Sequence, residues 1–175
     1  KGTLALGASA RCLSRLIEFL DPTDPEGIHA RLSRWCRGTA GDFAWVFDNP
    51  QDCVAPHLDG AALVGFDVTD FLDQEAIRAP LTLYLFHLVR RMLDGRRLVC
   101  WMDEFWRLLS DRAFEGFATD GPRTWRKLNG AMCLATQSVS DVLAASISRT
   151  LIEQTPTKIF FPNPEAAHAE YVEGL

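Results

Sequence analysis

Lysine is nearly missing from this 175-residue sequence: of eighteen basic residues only Lys1, Lys127 and Lys158 are lysines, and the rest are arginines. None of the three follows a glycine-rich loop, so the G-x-x-x-x-G-K-[ST] pattern that cradles phosphates does not occur. Paired cysteines are missing too. Cys12, Cys36, Cys53, Cys100 and Cys133 are odd in number and widely spaced, with no C-x-x-C. They suggest neither a disulfide framework nor a zinc site, and the expectation is five reduced thiols in a cytosolic compartment. The longest apolar stretch, Leu81–Val89, is interrupted by Thr82 and His87 and is too short to span a bilayer. The expectation is a soluble or at most peripheral chain. His29, His57, His87 and His168 share no metal-ligand spacing and enter no Ser-His-Asp or Cys-His arrangement. A net charge of −5 gives no support for a strong nucleic-acid surface.

What is present is material for a core: 47% of residues are hydrophobic and 23% charged. In the front third, Leu13, Leu16, Ile17 and Leu20 recur at helical spacing until Asp21-Pro22 stops them. Ile28, Leu32 and Trp35 form a second stripe, which ends near Gly38–Gly41. Residues 1–41 therefore read as a small helical segment. Its arginines Arg11, Arg15, Arg31, Arg34 and Arg37 form either a solvated face or a contact surface.

From residue 42 onward the pattern alternates. Runs of strand character occur at Phe43–Phe47, Leu63–Asp67, Leu98–Asp103, Ala131–Thr136 and Thr157–Phe161. Helical stretches lie at Ile77–Leu93, Glu104–Leu109, Ala113–Leu128 and Ser140–Gln154. The runs Leu98–Met102 and Met132–Ala135 are continuously apolar, as expected of strands buried on both faces of a parallel sheet. The predicted fold is α/β, a mostly parallel sheet flanked by helices over 42–175.

Three constellations carry chemistry. The first is Leu98-Val99-Cys100-Trp101-Met102-Asp103-Glu104, an apolar strand delivering two carboxylates to its C-terminal edge, where open α/β sheets bind ligands. This is the Walker B arrangement: the first acid holds Mg²⁺, usually through water, and the second polarises the attacking water. A plain strand terminus explains the same residues. The second is Met132–Ser138, which brings Gln137 to the same edge if the two strands are neighbours. Its amide can donate to a phosphate and accept from water, or Gln-Ser simply opens the next helix. The third is Arg123–Gly130, where cations and Asn-Gly suit a helix end. Alternatively Arg126 or Lys127 reaches a phosphate, in its own subunit or as a finger across an interface, and Arg149 is a further candidate. Trp101, Phe105 and Trp106 beside the carboxylates read as packing rather than a base-stacking platform.

The runs Gly65–Leu72, Asp103-Glu104-Phe105-Trp106, Ala135-Thr136-Gln137-Ser138 and Ile152–Pro164 closely resemble the C-terminal ATPase domain of the type IV secretion and conjugal-transfer ATPases, the VirB-four, TrbE and CagE class. The resemblance implies a RecA-like P-loop NTPase lobe of FtsK/HerA type that uses ATP and Mg²⁺ to energise a secretion channel and its pilus. It implies oligomers, often hexamers, at the cytoplasmic face of the bacterial inner membrane, in contact with other secretion components. By matching positions Asp103 would hold the metal, Glu104 would act on water, and Gln137 would belong to the following motif. Arg126 and Lys127 match the family's pair ahead of Asn-Gly. Val139 stands where proline is common, and Gly121-Pro122 interrupts the approach to the Arg-Lys pair.

The family's Walker A loop lies upstream of the region seen here. The expectation is therefore a fragment that retains the Walker B half and, alone, neither binds ATP tightly nor hydrolyses it. Two other classes compete: a non-catalytic interaction or oligomerisation module, and a metal-dependent hydrolase or nuclease. The last would need more ligands than Asp67 and Asp70 can add. Relatives of this motor class move DNA, but the charge balance lends DNA handling no support.

Overall fold

The computed structural model describes residues 7, 10–39, 41–108, 112–164 and 171–172. Leu109, the end of one predicted helix, and His168 lie outside them. The chain divides into two compact units, Lys1–Gly65 and Phe66–Leu175.

The first unit is built from short helical turns: α1 (Leu13–Leu16), α2 (Ile28–Ser33) and α3 (Ala44–Phe47), with 3₁₀ turns at Ile17–Phe19 and Ala55–His57. Its buried side chains are Ile17, Cys36, Ala44 and Leu58, together with one carboxylate, Asp48. Trp35 contacts Phe43 at 5.0 Å and Phe47 at 5.5 Å between ring centroids. The predicted strand Phe43–Phe47 is thus a helical turn, because spacing of four on a helix lets both rings meet one tryptophan. Three of the arginines here are engaged within the unit. Arg15 pairs with Glu18 at 2.8 Å, Arg34 lies 4.7 Å over the Phe43 ring, and Arg37 donates to the Asp48 carbonyl at 2.9 Å.

The second unit holds α4 (Thr69–Leu72), α5 (Glu75–Met92), β1 (Leu98–Met102), α6 (Arg112–Trp125), β2 (Gly130–Leu134), α7 (Val139–Ala144) and α8 (Ser148–Gln154). The strands β1 and β2 pair in parallel, Leu98 opposite Gly130 through Met102 opposite Leu134. Parallel neighbours need a long crossover, and α6 supplies it. The core gathers Phe86 from α5, Phe114, Phe117, Ala118 and Trp125 from α6, Val142, Leu151 and Phe105. Phe86 stacks on Phe117 at 3.7 Å, and Trp125 meets Phe117 edge-on at 5.2 Å. The helix runs on through Gly121-Pro122. Gly130 starts β2 so close to Trp125 that an added Cβ would lie 3.3 Å from the Trp125 carbonyl oxygen and 2.6 Å from Leu93.

Other expectations need correction. The described residues contain two strands, not five. Leu63–Asp67 and Thr157–Phe161 carry no ladder; a strand forms only with a partner, and none of the described residues pairs with them. Nor are β1 and β2 buried on both faces: Cys100, Met102, Met132 and Leu134 pack against the core, whereas Val99 and Trp101 are 54% and 76% exposed. The predicted helix Ser140–Gln154 is broken in two at Ala145–Ile147. Among the described residues no helix is long and apolar enough to cross a membrane.

Candidate functional site

The site begins where β1 stops. Asp103 follows Met102, and its Oδ1 accepts the Glu104 N–H at 3.0 Å. Glu104 takes a left-handed backbone, φ 48°, which is uncommon for a residue with a side chain and costs roughly 1–3 kcal/mol. The packing on either side explains it. Phe105 is driven into the core at 4% exposure and opens the 3₁₀ turn Phe105–Leu108, whose Arg107 N–H returns to the Glu104 carbonyl at 3.1 Å. The sharp reversal leaves Asp103 exposed and the Glu104 side chain partly so, at the C-terminal edge of the sheet.

The neighbouring strand reaches the same edge. The ladder extends one bond past β2, with the Ala135 N–H on the Met102 carbonyl at 2.9 Å. Thr136 and Ser138 then fold the chain back, Oγ1 of Thr136 donating to the Ser138 carbonyl at 2.9 Å. Ser138 caps α7 by accepting the Asp141 N–H at 3.3 Å. Between them Gln137 projects outward, and its Nε2 donates to Oε1 of Glu104 at 3.3 Å. The capping role expected of Gln-Ser is borne out by the serine, and the glutamine lies beside the carboxylate. The other Glu104 oxygen lies 3.8 Å from Nη1 of Arg107, whose Nη2 pairs with Asp73 just past α4.

Asp67, considered above as a ligand, spends its Oδ1 on the Thr69 N–H at 3.1 Å and hydroxyl at 2.8 Å. Those two bonds hold its carboxyl below the ordinary value. Among the described residues no three His, Cys, Asp or Glu side chains converge to hold an ion.

No protein-family model matches the chain. Over 163 residues it is 50% identical to the type IV secretion system protein virB4 of Bartonella henselae, an overlap of 93% of this chain and 20% of that protein. The virB4 of Bartonella quintana is 48% identical over 97% of this chain and 21% of its own length. The type IV secretion system protein PtlC of Bordetella pertussis is 41% identical over 98% of this chain and 21% of its own. The chain matches a fragment of the VirB4/PtlC type IV secretion family. It spans about one fifth of the length of the curated relatives it matches.

The remaining candidates of this chain lie elsewhere. Arg126 and Lys127 occupy the 3₁₀ turn Arg126–Leu128, exposed, immediately before β2. Five strand residues, ~16 Å at 3.3 Å each, separate that N-terminal edge from the carboxylates, so one chain does not bring them together. Asn129 ends the turn in the left-handed conformation, φ 59°, and donates to the Gly95 carbonyl at 2.7 Å. Arg149 stands on α8, paired with Glu153 at 2.9 Å. Phe105 and Trp106 pack as expected, whereas Trp101 faces outward. The residues sequence reasoning missed are Arg107 and Asp73. Their spacing of 34 is nonlocal, and the one local signal was Glu104 to Arg107 at three residues.

Proposed function

We propose that the chain is part of the ATPase motor of a bacterial type IV secretion system, energising channel or pilus assembly and substrate transfer. Its second unit would belong to a RecA-like lobe. Kinship with VirB4 and PtlC proteins supports the secretion role. One observation carries the chemistry: Glu104 and Gln137, from adjacent parallel strands, meet at 3.3 Å on the sheet edge. A carboxylate oxygen there can take a proton from water while the amide orients the same water or senses a phosphate.

Asp103 fits the magnesium role. Its carboxylate is exposed at the strand end, only Oδ1 is engaged by the Glu104 N–H, and oxygen donors suit a hard cation that keeps its waters. When bound, Mg²⁺ would neutralise charge developing on the phosphates. The chain's own part is to fix Asp103 and Glu104 on a tight turn at the strand end, so that one carboxylate would serve the cation and the other the water. Arg126, Lys127 or Arg149 would act on a neighbouring subunit's site, consistent with the first two lying at the far end of the sheet and with hexamers or other self-association. The same reading puts the parent at the cytoplasmic face of the inner membrane with other secretion components. Nothing in the charge balance favours DNA as a partner. No loop in this sequence can grip β- and γ-phosphates, so the 175 residues alone would be inactive.

The test is Glu104→Gln in the longer protein. Steady-state ATP turnover should fall about a hundredfold while nucleotide is retained on gel filtration. Turnover indifferent to the substitution would favour an interaction module instead. Calorimetric titration of Mg-ATP into the 175-residue chain should show no binding in the micromolar range.

A further inference from the structure

We infer that Arg107 is a positioning residue for Glu104, anchored by Asp73, so that the turn closing α4 sets where the Glu104 carboxylate sits. This rests on the reading of Glu104 as the group that acts on water. The Arg107 N–H bonds the Glu104 carbonyl at 3.1 Å, which closes the turn and leaves the guanidinium 3.8 Å from the Glu104 carboxylate. The guanidinium is the most sheltered of the three charged groups, its side chain 25% exposed against 37% for Glu104 and 74% for Asp73. Its planar fork points one nitrogen at each carboxylate, an arrangement that a lysine's single ammonium reproduces poorly. Without it, Glu104 would be held by the neutral Gln137 amide alone among the contacts described.

The anchor is itself built. Asp67 caps the turn that starts α4 through Thr69, and Nη1 of Arg78 donates to the Leu72 carbonyl at 3.3 Å, next to Asp73. A shift of this corner would move Asp73, then Arg107, then the carboxylate. Ion pairs this exposed add little to stability, so the contact is better explained by geometry than by fold maintenance. Misplacing a reacting group by an ångström can lower a rate by up to about a hundredfold, while ground-state binding is spared.

The experiment compares Arg107→Ala, Arg107→Lys, Asp73→Asn and the Arg107→Ala/Asp73→Asn double variant with Glu104→Gln, all in the longer protein. Expected results are kcat lowered about tenfold by Arg107→Ala and severalfold by Asp73→Asn, with the KM for Mg-ATP within about twofold of wild type. The double variant should be no slower than Arg107→Ala, and Arg107→Lys should recover part of the loss. Unchanged kcat in Arg107→Ala, a raised KM at constant kcat, or multiplicative effects in the double variant would each overturn the positioning role. If Arg107→Ala lowers the melting temperature, Asp73→Asn and Arg107→Lys decide the question by the same kcat and KM criteria. A neutral Glu104→Gln overturns the reading of Glu104 and this inference with it. A dead Glu104→Gln beside a neutral Arg107→Ala overturns the positioning role alone.

Discussion

Two carboxylates in this chain live opposite lives. Asp48, in the first unit, is 2% exposed and bonded through both oxygens: Oδ1 accepts the Ser14 N–H at 3.0 Å and hydroxyl at 3.2 Å, and Oδ2 accepts the Arg37 N–H at 2.7 Å. Burial pushes its carboxyl up, but the bonds from Arg37 and Ser14 outweigh it and hold the group below the usual range. Glu104, in the second unit, sits on a left-handed backbone at an exposed edge, where among the described residues its carboxylate meets one long amide contact and a distant guanidinium. The buried acid is fixed by hydrogen bonds to both oxygens, whereas the edge acid keeps the spare accepting capacity that the role proposed for Glu104 would use.

Substitutions that sharpen the contrast can be ranked. Phe117→Ala removes the ring between Phe86 and Trp125 and should destabilise the second unit by about 3–5 kcal/mol in chemical denaturation. Asp48→Ala removes a buried acceptor from three part-buried hydrogen bonds and should cost about 1–3 kcal/mol of first-unit stability, whereas Glu104→Gln should leave melting unchanged. A Glu104→Gln variant as unstable as Asp48→Ala would erase the distinction. Gly130→Ala drives a methyl toward the Trp125 carbonyl and Leu93, and a loss of about 1–3 kcal/mol is expected.

The pH response follows from the sign of the Asp48 shift. Its folded value is depressed, so its stabilisation is complete above the unfolded carboxylate value, about 3.9, and drains away as pH falls through the lower folded value. Acid titration of the Trp35 environment should show this loss below about pH 4, and Asp48→Asn should abolish it. The smallest effect concerns thiols. Burial, with help from Cys133, pushes Cys100 up to about 11, so at pH 8 exposed Cys53 should alkylate well before it in mass-spectrometric mapping.

Some of this was legible in the residues and some was not. The apolar runs Leu98–Met102 and Met132–Ala135 announced two strands, and the carboxylates after the first and Gln137 after the second could be assigned to one edge if the strands were neighbours, as they are. Asn129-Gly130 announced a helix stop, which the structure makes with Asn129 in the left-handed conformation. Phe43–Phe47 was misread because a five-residue apolar run fits a strand and a helical turn equally, and only Trp35 decides. Thr157–Phe161 has strand composition, yet Ile159 and Phe161 stand 75% and 82% exposed without a ladder, since pairing is a property of partners and not of segments. The Arg107–Asp73 contact joins residues 34 apart, a distance at which local pattern carries no information.

The central claim is that Glu104 and Gln137 act as one unit across two strands. It is tested most directly by ATP turnover in a double-mutant cycle, Glu104→Gln and Gln137→Ala, in the longer protein. Each single substitution should lower kcat, and the double variant should be no slower than Glu104→Gln, because groups that act together fail together. Losses that multiply in the double variant, or a Glu104→Gln protein as fast as wild type, would contradict it.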